Sequence, residues 1–326
     1  MQDALRELME AVYEQDFLDC SYGFRPGRGA HDAIRAFHRV ADRGGANWIV
    51  EADIASFFDR IPREQLKDLI ARRIPDGSIR RLVGKCLHVG VLDGEDLTTP
   101  DAGTAQGSVL SPLLANVYLH YVLDLWFEHE VKPRMRGLAT LIRYADDFIL
   151  CFAREDDARR VMDVLPKRMA KYGLELQPAK TRLVRFERPR GSQKPGTGPD
   201  SFDFLGFTLY WRRSRRGGWM VGCKTRRARL TRAITAAYEW CRHNRHAPVA
   251  EQHVGLCRKM RGHYQYFGVN GNTRCLSRLY HHVRRAWHKW LNRRSQRANL
   301  PWTRFVGLLR DFPLPLPRVH VQIWGA

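Results

Sequence analysis

The stretch 141–150, LIRYADDFIL, decides the fold because it holds two adjacent aspartates between two apolar arms. Residues 141–144 and 148–152 have the length and composition of strands. The sequence therefore predicts a β-hairpin with Asp146 and Asp147 at its tip.

A third aspartate follows another apolar stretch. Residues 48–54, WIVEADI, predict a short strand with Asp53 near its end. A carboxylate at the end of a buried strand is costly unless it binds a cation. Three carboxylates from two adjacent strands are a ligand set for two Mg²⁺ ions about 4 Å apart.

The alternative is that adjacent aspartates are ordinary surface residues. The chain offers a comparison in AREDDARR, 153–160, where Asp156 and Asp157 are flanked by charge. That pattern predicts a solvated helix face, whereas Asp146 and Asp147 have apolar neighbours. The contrast favours the metal site and leaves the alternative open.

Residues 103–112, GTAQGSVLSP, form a glycine-containing loop that leads into a helix, with Ser111 as the predicted N-cap. Backbone N–H groups at such a position bind phosphate, and the Gln106 amide can meet a base edge. An ordinary capped loop is the alternative interpretation of the same residues.

Charge is distributed very unevenly along the 326 residues. Lys and Arg number 55 against 34 Asp and Glu, which gives a net charge of +21. Residues 1–200 hold 30 basic and 30 acidic residues, whereas residues 201–326 hold 25 basic and 4 acidic. This excess predicts a polyanionic partner for the C-terminal part.

Arginine alternates with aromatic residues in this basic part, which favours structured RNA as the partner. A solvated basic helix face is the alternative. The residues predicted to contact RNA are Arg226, Arg227, Tyr264, Tyr266, Arg284, Arg285, Trp287 and Trp290.

Composition restricts the class of protein. With 44% hydrophobic and 11% aromatic residues the chain is expected to be globular, with two or three domains. Seven scattered cysteines without a CxxC pair predict reduced thiols and a cytoplasmic protein. No apolar run approaches the roughly 20 residues that cross a bilayer, so no membrane is expected as a partner.

Several segments together resemble the group II intron-encoded reverse transcriptases and maturases. The motifs are SYGFRPGRGAHDAI (21–34), WIVEADIASFFDRI (48–61), GTAQGSVLSPLLANVYLHYVLD (103–124), LIRYADDFIL (141–150), LELQPAKTRLV (174–184) and FDFLGFTL (202–209). They have the order and spacing of reverse transcriptase blocks two to seven, and RGHYQYFGVNGN (261–272) resembles the maturase, or X, domain.

The resemblance implies an α+β fold: a right-hand polymerase palm followed by an α-helical thumb and maturase domain. The expected domains are partial fingers and palm over 1–200, a primer-grip hairpin over 201–222 and the thumb and maturase domain over 223–326. The fingers are expected to be partial because the segment before SYGFRPGRG is shorter than in the family.

The resemblance also implies roles for individual residues. Asp53, Asp146 and Asp147, with the backbone of Ile54, match the catalytic metal ligands. The expected nucleotide-binding residues are Phe58 as the steric gate against a ribose 2′-hydroxyl, Gln106, Gly107 and Lys180. Leu205 and Gly206 match the primer grip. A core role for Phe58 and a solvated Lys180 are the alternatives.

The expected function is that of a Mg²⁺-dependent RNA-directed DNA polymerase and splicing maturase. Its expected partners are a group II intron RNA, a DNA or RNA primer and template, and dNTPs. A non-catalytic RNA-binding maturase and a truncated remnant are the alternatives.

Overall fold

The computed structural model describes residues 2–87, 91–93, 96–98, 109–189, 200–214, 217–295 and 299–324. The chain divides into two compact units. Unit 1 comprises Met1–Leu205 and Arg213–Trp219, and unit 2 comprises Gly206–Arg212 and Met220–Ala326. Helices and sheets both contribute, so the predicted α+β class is confirmed.

Unit 1 combines seven described α-helices with seven described strands. The helices are α1 (Gln2–Tyr13), α2 (Ala30–Asp42), α3 (Phe57–Arg60), α4 (Arg63–Arg73), α5 (Gly77–Leu87), α6 (Ser111–Leu119) and α7 (Glu155–Lys171). The strands are β1 (Trp48–Asp53), β2 (Val91–Asp93), β3 (Asp96–Thr98), β4 (Ala139–Tyr144), β5 (Asp147–Phe152), β6 (Arg182–Arg185) and β7 (Phe202–Phe204).

The central sheet of unit 1 has the strand order β4-β5-β1-β6, and all three pairings are antiparallel. Both of its faces are covered. Val50 and Phe148 belong to a core that includes residues of α6 and α7. On the opposite face, Phe37, Phe186 and Phe202 pack edge to face with ring centroids 5.0–5.5 Å apart. The sheet is therefore held rigidly from both sides.

The long helix after residue 110 changes its geometry along its length. Helix α6 begins at Ser111. Its N-cap is Leu110, whose backbone already has helical angles, so the prediction that Ser111 is the N-cap is wrong. Beyond α6 the chain continues through two π-helical segments, His120–Asp124 and Phe127–Val131. Leu113, Val117 and Tyr118 are buried, as expected of a helix that is apolar all round.

The aspartate pair 156–157 differs from the prediction. Asp157 is buried, with 1% of its side chain exposed, and its Oδ2 accepts the backbone N–H groups of Arg136 and Gly137 at 2.9 Å. Asp156 remains partly exposed and pairs with Arg154. The predicted solvated face is therefore correct for Asp156 and wrong for Asp157, because two loop amides supply the partners that water would supply.

Unit 2 is mostly helical. Strands β8 (Phe207–Arg213) and β9 (Trp219–Thr225) are neighbours in one sheet. They are followed by helices α8 (Arg227–His243), α9 (Val249–Phe267), α10 (Thr273–Leu291) and α11 (Trp302–Asp311). Leu256, Met260, Leu279 and Phe305 contribute to its own hydrophobic core.

All seven cysteines lie in the described part of the chain and are free, and five of them are buried. Burial raises the pKa of the Cys151 thiol well above its usual range. These observations confirm the predicted reduced thiols and show that most of them are buried. Among the described helices, none combines the length and the hydropathy that crossing a membrane requires.

Two glycines of α9 give a matched test of packing between α8 and α9. A Cβ at Gly255 would lie 2.4 Å from the Trp240 ring, whereas a Cβ at Gly262 would meet nothing within 4 Å. We expect Gly255→Ala to lower the free energy of unfolding by about 1–3 kcal/mol through overpacking. Gly262→Ala should raise it by up to about 1 kcal/mol, because alanine favours the helix. Urea denaturation measures both, and equal effects would contradict this packing.

Candidate active site

The predicted carboxylates meet at one end of the central sheet. Strands β1 and β5 pair so that Asp53 lies directly opposite Asp147. Directly opposed residues of an antiparallel pair point to the same face, with Cβ atoms about 5 Å apart. Asp147 also pairs with Tyr144 at the end of β4. The sheet therefore brings together carboxylates that are far apart in sequence.

Asp146 lies in the two-residue turn that joins β4 to β5. Its neighbour in the turn, Ala145, has a φ of +56°, which is the left-handed region that side chains disfavour. Gly23 lies against this turn so closely that a Cβ there would come within 2.4 Å of the Ala145 nitrogen. The tip of the hairpin is thus held in a strained conformation by the segment behind it.

The electrostatics of the site favour a bound cation. The pKa of the Asp147 carboxyl is raised to about 7, because burial and the charges of Asp146 and Asp53 outweigh the hydrogen bond from the Leu205 N–H, which lowers it. Burial also raises the pKa of Asp146, with the Asp53 charge acting in the same direction. Carboxylates that disfavour ionisation in this way are relieved by a divalent cation.

A second segment brings Lys180 to Asp53. Residues 175–180 run beside the end of β1, where Ala55 N–H donates to the Glu175 carbonyl and Gln177 N–H donates to the Asp53 carbonyl. These two bonds flank the bridge between Ile54 and Leu176, so the bridge does not use the Ile54 carbonyl. At the end of the segment, Lys180 Nζ donates to Asp53 Oδ2 at 2.6 Å.

The predicted primer-grip residues separate β7 from β8. Leu205 and Gly206 both have positive φ values, +50° and +77°. The Leu205 N–H donates to Asp147 Oδ2 at 3.3 Å, and this bond favours the ionised carboxylate. Leu205 therefore contacts a predicted catalytic residue directly, a link that the sequence did not indicate.

The two phenylalanines after β1 differ in burial. Phe57 is buried in the core. Phe58 is half-buried and packs edge to face against Phe57, with centroids 5.5 Å apart. The described residues do not include Gln106 and Gly107, which were predicted to contact the nucleotide and template.

The donor set fits a hard cation by its chemistry, although the carboxylates do not converge on one point. Within the described ranges, no three His, Cys, Asp or Glu side chains are arranged to hold a metal ion. The Asp53 carboxylate is ion-paired with the Lys180 ammonium group. Three carboxylate ligands with two raised pKa values remain a suitable set for Mg²⁺.

One charged residue of the site was missed. Arg143 lies on β4 close to the turn and is fully buried in an ion pair with Asp124. A charged residue inside the apolar stretch LIRY was the available signal, because a buried arginine requires a partner.

Unit 2 contains a basic and aromatic cluster at the ends of α8 and α10, called here the Trp290 cluster. The Trp290 ring has four cations 5.7–6.0 Å from its centroid: Arg242, Arg245, Lys289 and Arg293. Cations near helix C-termini also stabilise the helix dipole. Four of them around one indole concentrate more positive charge here than the dipole alone requires.

The other predicted RNA contacts have mixed environments. Arg226, Arg227 and Arg285 are exposed, and Arg284 lies over the Trp302 ring at 4.9 Å. Tyr266 has 36% of its surface exposed.

Two of the predicted stacking residues are corrected by the structure. Trp287 is fully buried and its Nε1–H donates to Gln252 Oε1 at 2.9 Å, and Tyr264 is 2% exposed. Both rings face the core of unit 2, so the prediction that they stack on bases is wrong. Burial of the helix faces, which the charge pattern does not reveal, is the physical reason.

With this geometry established, the comparison with known proteins is direct. Residues 1–209 match the family described as "Reverse transcriptase (RNA-dependent DNA polymerase)". This match covers Asp53, Asp146, Asp147 and the segment that holds Lys180. The chain belongs to the reverse transcriptase family.

Its relatives place this reverse transcriptase with the group II intron proteins, which confirms the predicted resemblance. The group II intron-encoded protein LtrA of Lactococcus lactis is 34% identical over 198 residues, which cover 58% of this chain and 33% of LtrA. Protein YkfC of Escherichia coli is 31% identical over 68% of this chain and 63% of its own length. Nuclear intron maturase 2 of Arabidopsis thaliana is 28% identical over 42% of this chain and 24% of its own length. The aligned region thus spans about a third of LtrA and less than two thirds of YkfC.

Solved structures support the same fold. The telomerase of Candida albicans, solved with a fragment of telomeric RNA, aligns with a TM-score of 0.51 at 14% identity and covers 95% of this chain and 51% of that one. Apo telomerase of Candida tropicalis aligns with a TM-score of 0.51 at 13% identity, covering 95% of this chain and 56% of its own. At these identities the likeness concerns the fold alone.

The raised pKa of Asp147 gives a test by stability. A carboxyl with a raised folded pKa binds its proton more tightly in the folded state, so the protein loses stability as pH rises from about 4 through about 7. In EDTA, Asp147→Asn should therefore raise the thermal midpoint clearly more at pH 8 than at pH 5, because only part of this loss has occurred by pH 5. Asp156→Asn is the control, because its carboxyl is exposed and ion-paired, and it should show no such gain. A gain of equal size at both pH values would contradict the burial effect.

Proposed function

We propose that this protein is an RNA-directed DNA polymerase of the group II intron type that also binds intron RNA as a splicing maturase. The observation that carries the proposal is the register that sets Asp53 opposite Asp147, beside the turn residue Asp146. We assign residues 1–200 to partial fingers and palm, 201–222 to a primer-grip hairpin and 223–326 to the thumb and maturase domain.

The proposed cofactor is Mg²⁺, held by Asp53, Asp146, Asp147 and the Ile54 carbonyl. Two such ions, when bound, would supply positive charge to the attacking and leaving oxygens of a nucleotidyl transfer. In that reaction the primer 3′-oxygen forms a bond to the α-phosphorus of a dNTP. The bond from that phosphorus to its bridging oxygen breaks, and pyrophosphate leaves.

The residues of this chain have defined tasks in the proposed reaction. The Leu205 N–H keeps Asp147 oriented, and the bond favours its ionised form. Lys180 is exposed over 60% of its side chain, so its ammonium group is accessible to a nucleotide phosphate as well as to Asp53. Phe58 remains the proposed steric gate, since its ring is half-buried against Phe57.

The second candidate function is a maturase that binds RNA without copying it. The Trp290 cluster and the charge of residues 201–326 favour RNA binding whether or not the carboxylates are active. Cations that displace counterions from phosphates give an affinity that falls steeply with salt. Trp290 adds a ring on which an unpaired base can stack.

Primer extension on an RNA template separates the two functions. Asp146→Asn should lower the rate by at least about a hundredfold and leave RNA affinity within about twofold, because the carboxylate acts on the transition state. Asp156→Asn, in the other pair of adjacent aspartates, is the matched control. This variant should extend the primer at the parental rate. A parent chain that binds RNA but extends no primer with Mg²⁺ would support the maturase alone.

The RNA surface is tested by paired charge removal in the full chain. Lys289→Gln with Arg293→Gln should make the slope of log affinity against log salt shallower by about 1.5, because each lost phosphate contact contributes about 0.7–0.9. The control pair is Arg304→Gln with Arg310→Gln, two exposed arginines of α11. Equal changes in both pairs would indicate binding by overall charge rather than by the Trp290 cluster.

A further inference from the structure

The guanidinium of Arg143 is a heavily bonded side-chain group in the described part of unit 1. It is fully buried, and its Nε and Nη2 donate to the two carboxylate oxygens of Asp124 at 2.8 and 2.6 Å. Nη2 also donates to Ser21 Oγ at 2.8 Å, and Nη1 donates to Asn116 Oδ1 at 2.9 Å and to the Ala145 carbonyl at 3.0 Å. All five N–H groups of the fork are thereby used.

These bonds join the hairpin of β4 and β5 to two other parts of unit 1. The backbone of Arg143 pairs with Ser21 in a parallel bridge, through the Arg143 N–H to the Cys20 carbonyl and the Tyr22 N–H to the Arg143 carbonyl, both 2.8 Å. Asn116 of α6 extends the network, because its Nδ2 donates to the Gly23 carbonyl at 2.7 Å. Gly23 in turn lies against the Ala145 backbone.

A buried ion pair is weak evidence for a stabilising role, because well-packed apolar residues often replace such pairs at no loss of stability. The bond to the Ala145 carbonyl points to a different task. Ala145 has the disfavoured positive φ, and residues in such conformations persist where their surroundings hold them. The network contacts this turn at two points. The Arg143 guanidinium donates to the Ala145 carbonyl, and Gly23 lies against the Ala145 backbone.

We propose that Arg143, with Asp124, Asn116 and the Ser21–Gly23 segment, is a positioning device that holds the Ala145–Asp146 turn in its productive geometry. The proposal rests on the proposed polymerase function for its meaning. Arg143 touches no substrate and acts through the turn. A shift of about 1 Å in such a turn costs on the order of a hundredfold in rate.

Gly23→Ala tests the device without altering a charge, since the new Cβ would come within 2.4 Å of the Ala145 nitrogen. We expect kcat for primer extension to fall by about a hundredfold, with the dNTP KM and RNA affinity within about twofold. Gly29→Ala, further along the same stretch of chain, is the matched control. A Cβ there would meet its nearest neighbour at 3.7 Å, so this variant should keep the parental kcat. A parental kcat in Gly23→Ala would overturn the proposal, as would an equal loss in both variants.

A second variant covers the case in which Gly23→Ala does not fold. Arg143→Met combined with Asp124→Leu removes both buried charges together, so the thermal midpoint should fall less than in Arg143→Met alone, which leaves the Asp124 charge buried without its partner. The same fall in kcat is expected, since the turn loses its bond to the guanidinium. A folded double variant with parental kcat would overturn the proposal.

A readout without turnover separates this proposal from the polymerase function. Mg²⁺ should raise the thermal midpoint of the parent and of Gly29→Ala, and it should raise that of the positioning variants much less. If the parent extends no primer but this pattern of shifts appears, the polymerase function fails and the positioning role stands. Equal shifts in all four proteins would overturn the positioning role.

Discussion

Mutual repulsion among three carboxylates is the constraint on which the rest of unit 1 depends. Strand register brings Asp53, Asp146 and Asp147 together, and burial makes the negative charges of Asp146 and Asp147 costly. Two cations reduce this electrostatic cost in different ways. Arg143 is buried and committed to Asp124, whereas Lys180 is exposed and pairs directly with Asp53. One positive charge is therefore fixed under the site, and the other is free to exchange partners.

Much of this arrangement was predictable from the sequence. Apolar stretches of strand length predicted β1, β4 and β5, and the carboxylates at their ends predicted that Asp53 and Asp147 would meet. The ion pair of Arg143 and Asp124 was not predictable by the same means. Periodicity indicates which face a residue occupies, but it does not identify a partner on another element. Asp157 shows the same limit, because its partners are loop amides whose placement depends on tertiary structure.

The basic C-terminal part of the chain, residues 201–326, shows what charge alone can and cannot reveal about a binding surface. The excess of arginine and lysine predicted the chemical class of the partner. It did not distinguish Trp287 from Trp290, which lie three residues apart on α10. The first is a core residue, and the second lies among four cations. Residues three apart on a helix differ by about 60° in direction, and in a helix packed on one side this angle separates core from surface.

The two π-helical segments after α6 have a consequence for how this protein tolerates insertions and deletions. A π-turn contains one residue more than an α-turn, and such turns occur frequently at functional sites. Asp124 is the last residue of the first π-segment, and from there its carboxylate reaches Arg143. Because a wider turn rotates each residue by less than the roughly 100° of an α-helix, deleting one residue within 120–123 would restore an ordinary α-helical ladder and leave Asp124 on the same face of the helix. The irregular segment thus absorbs one extra residue without moving Asp124 away from Arg143.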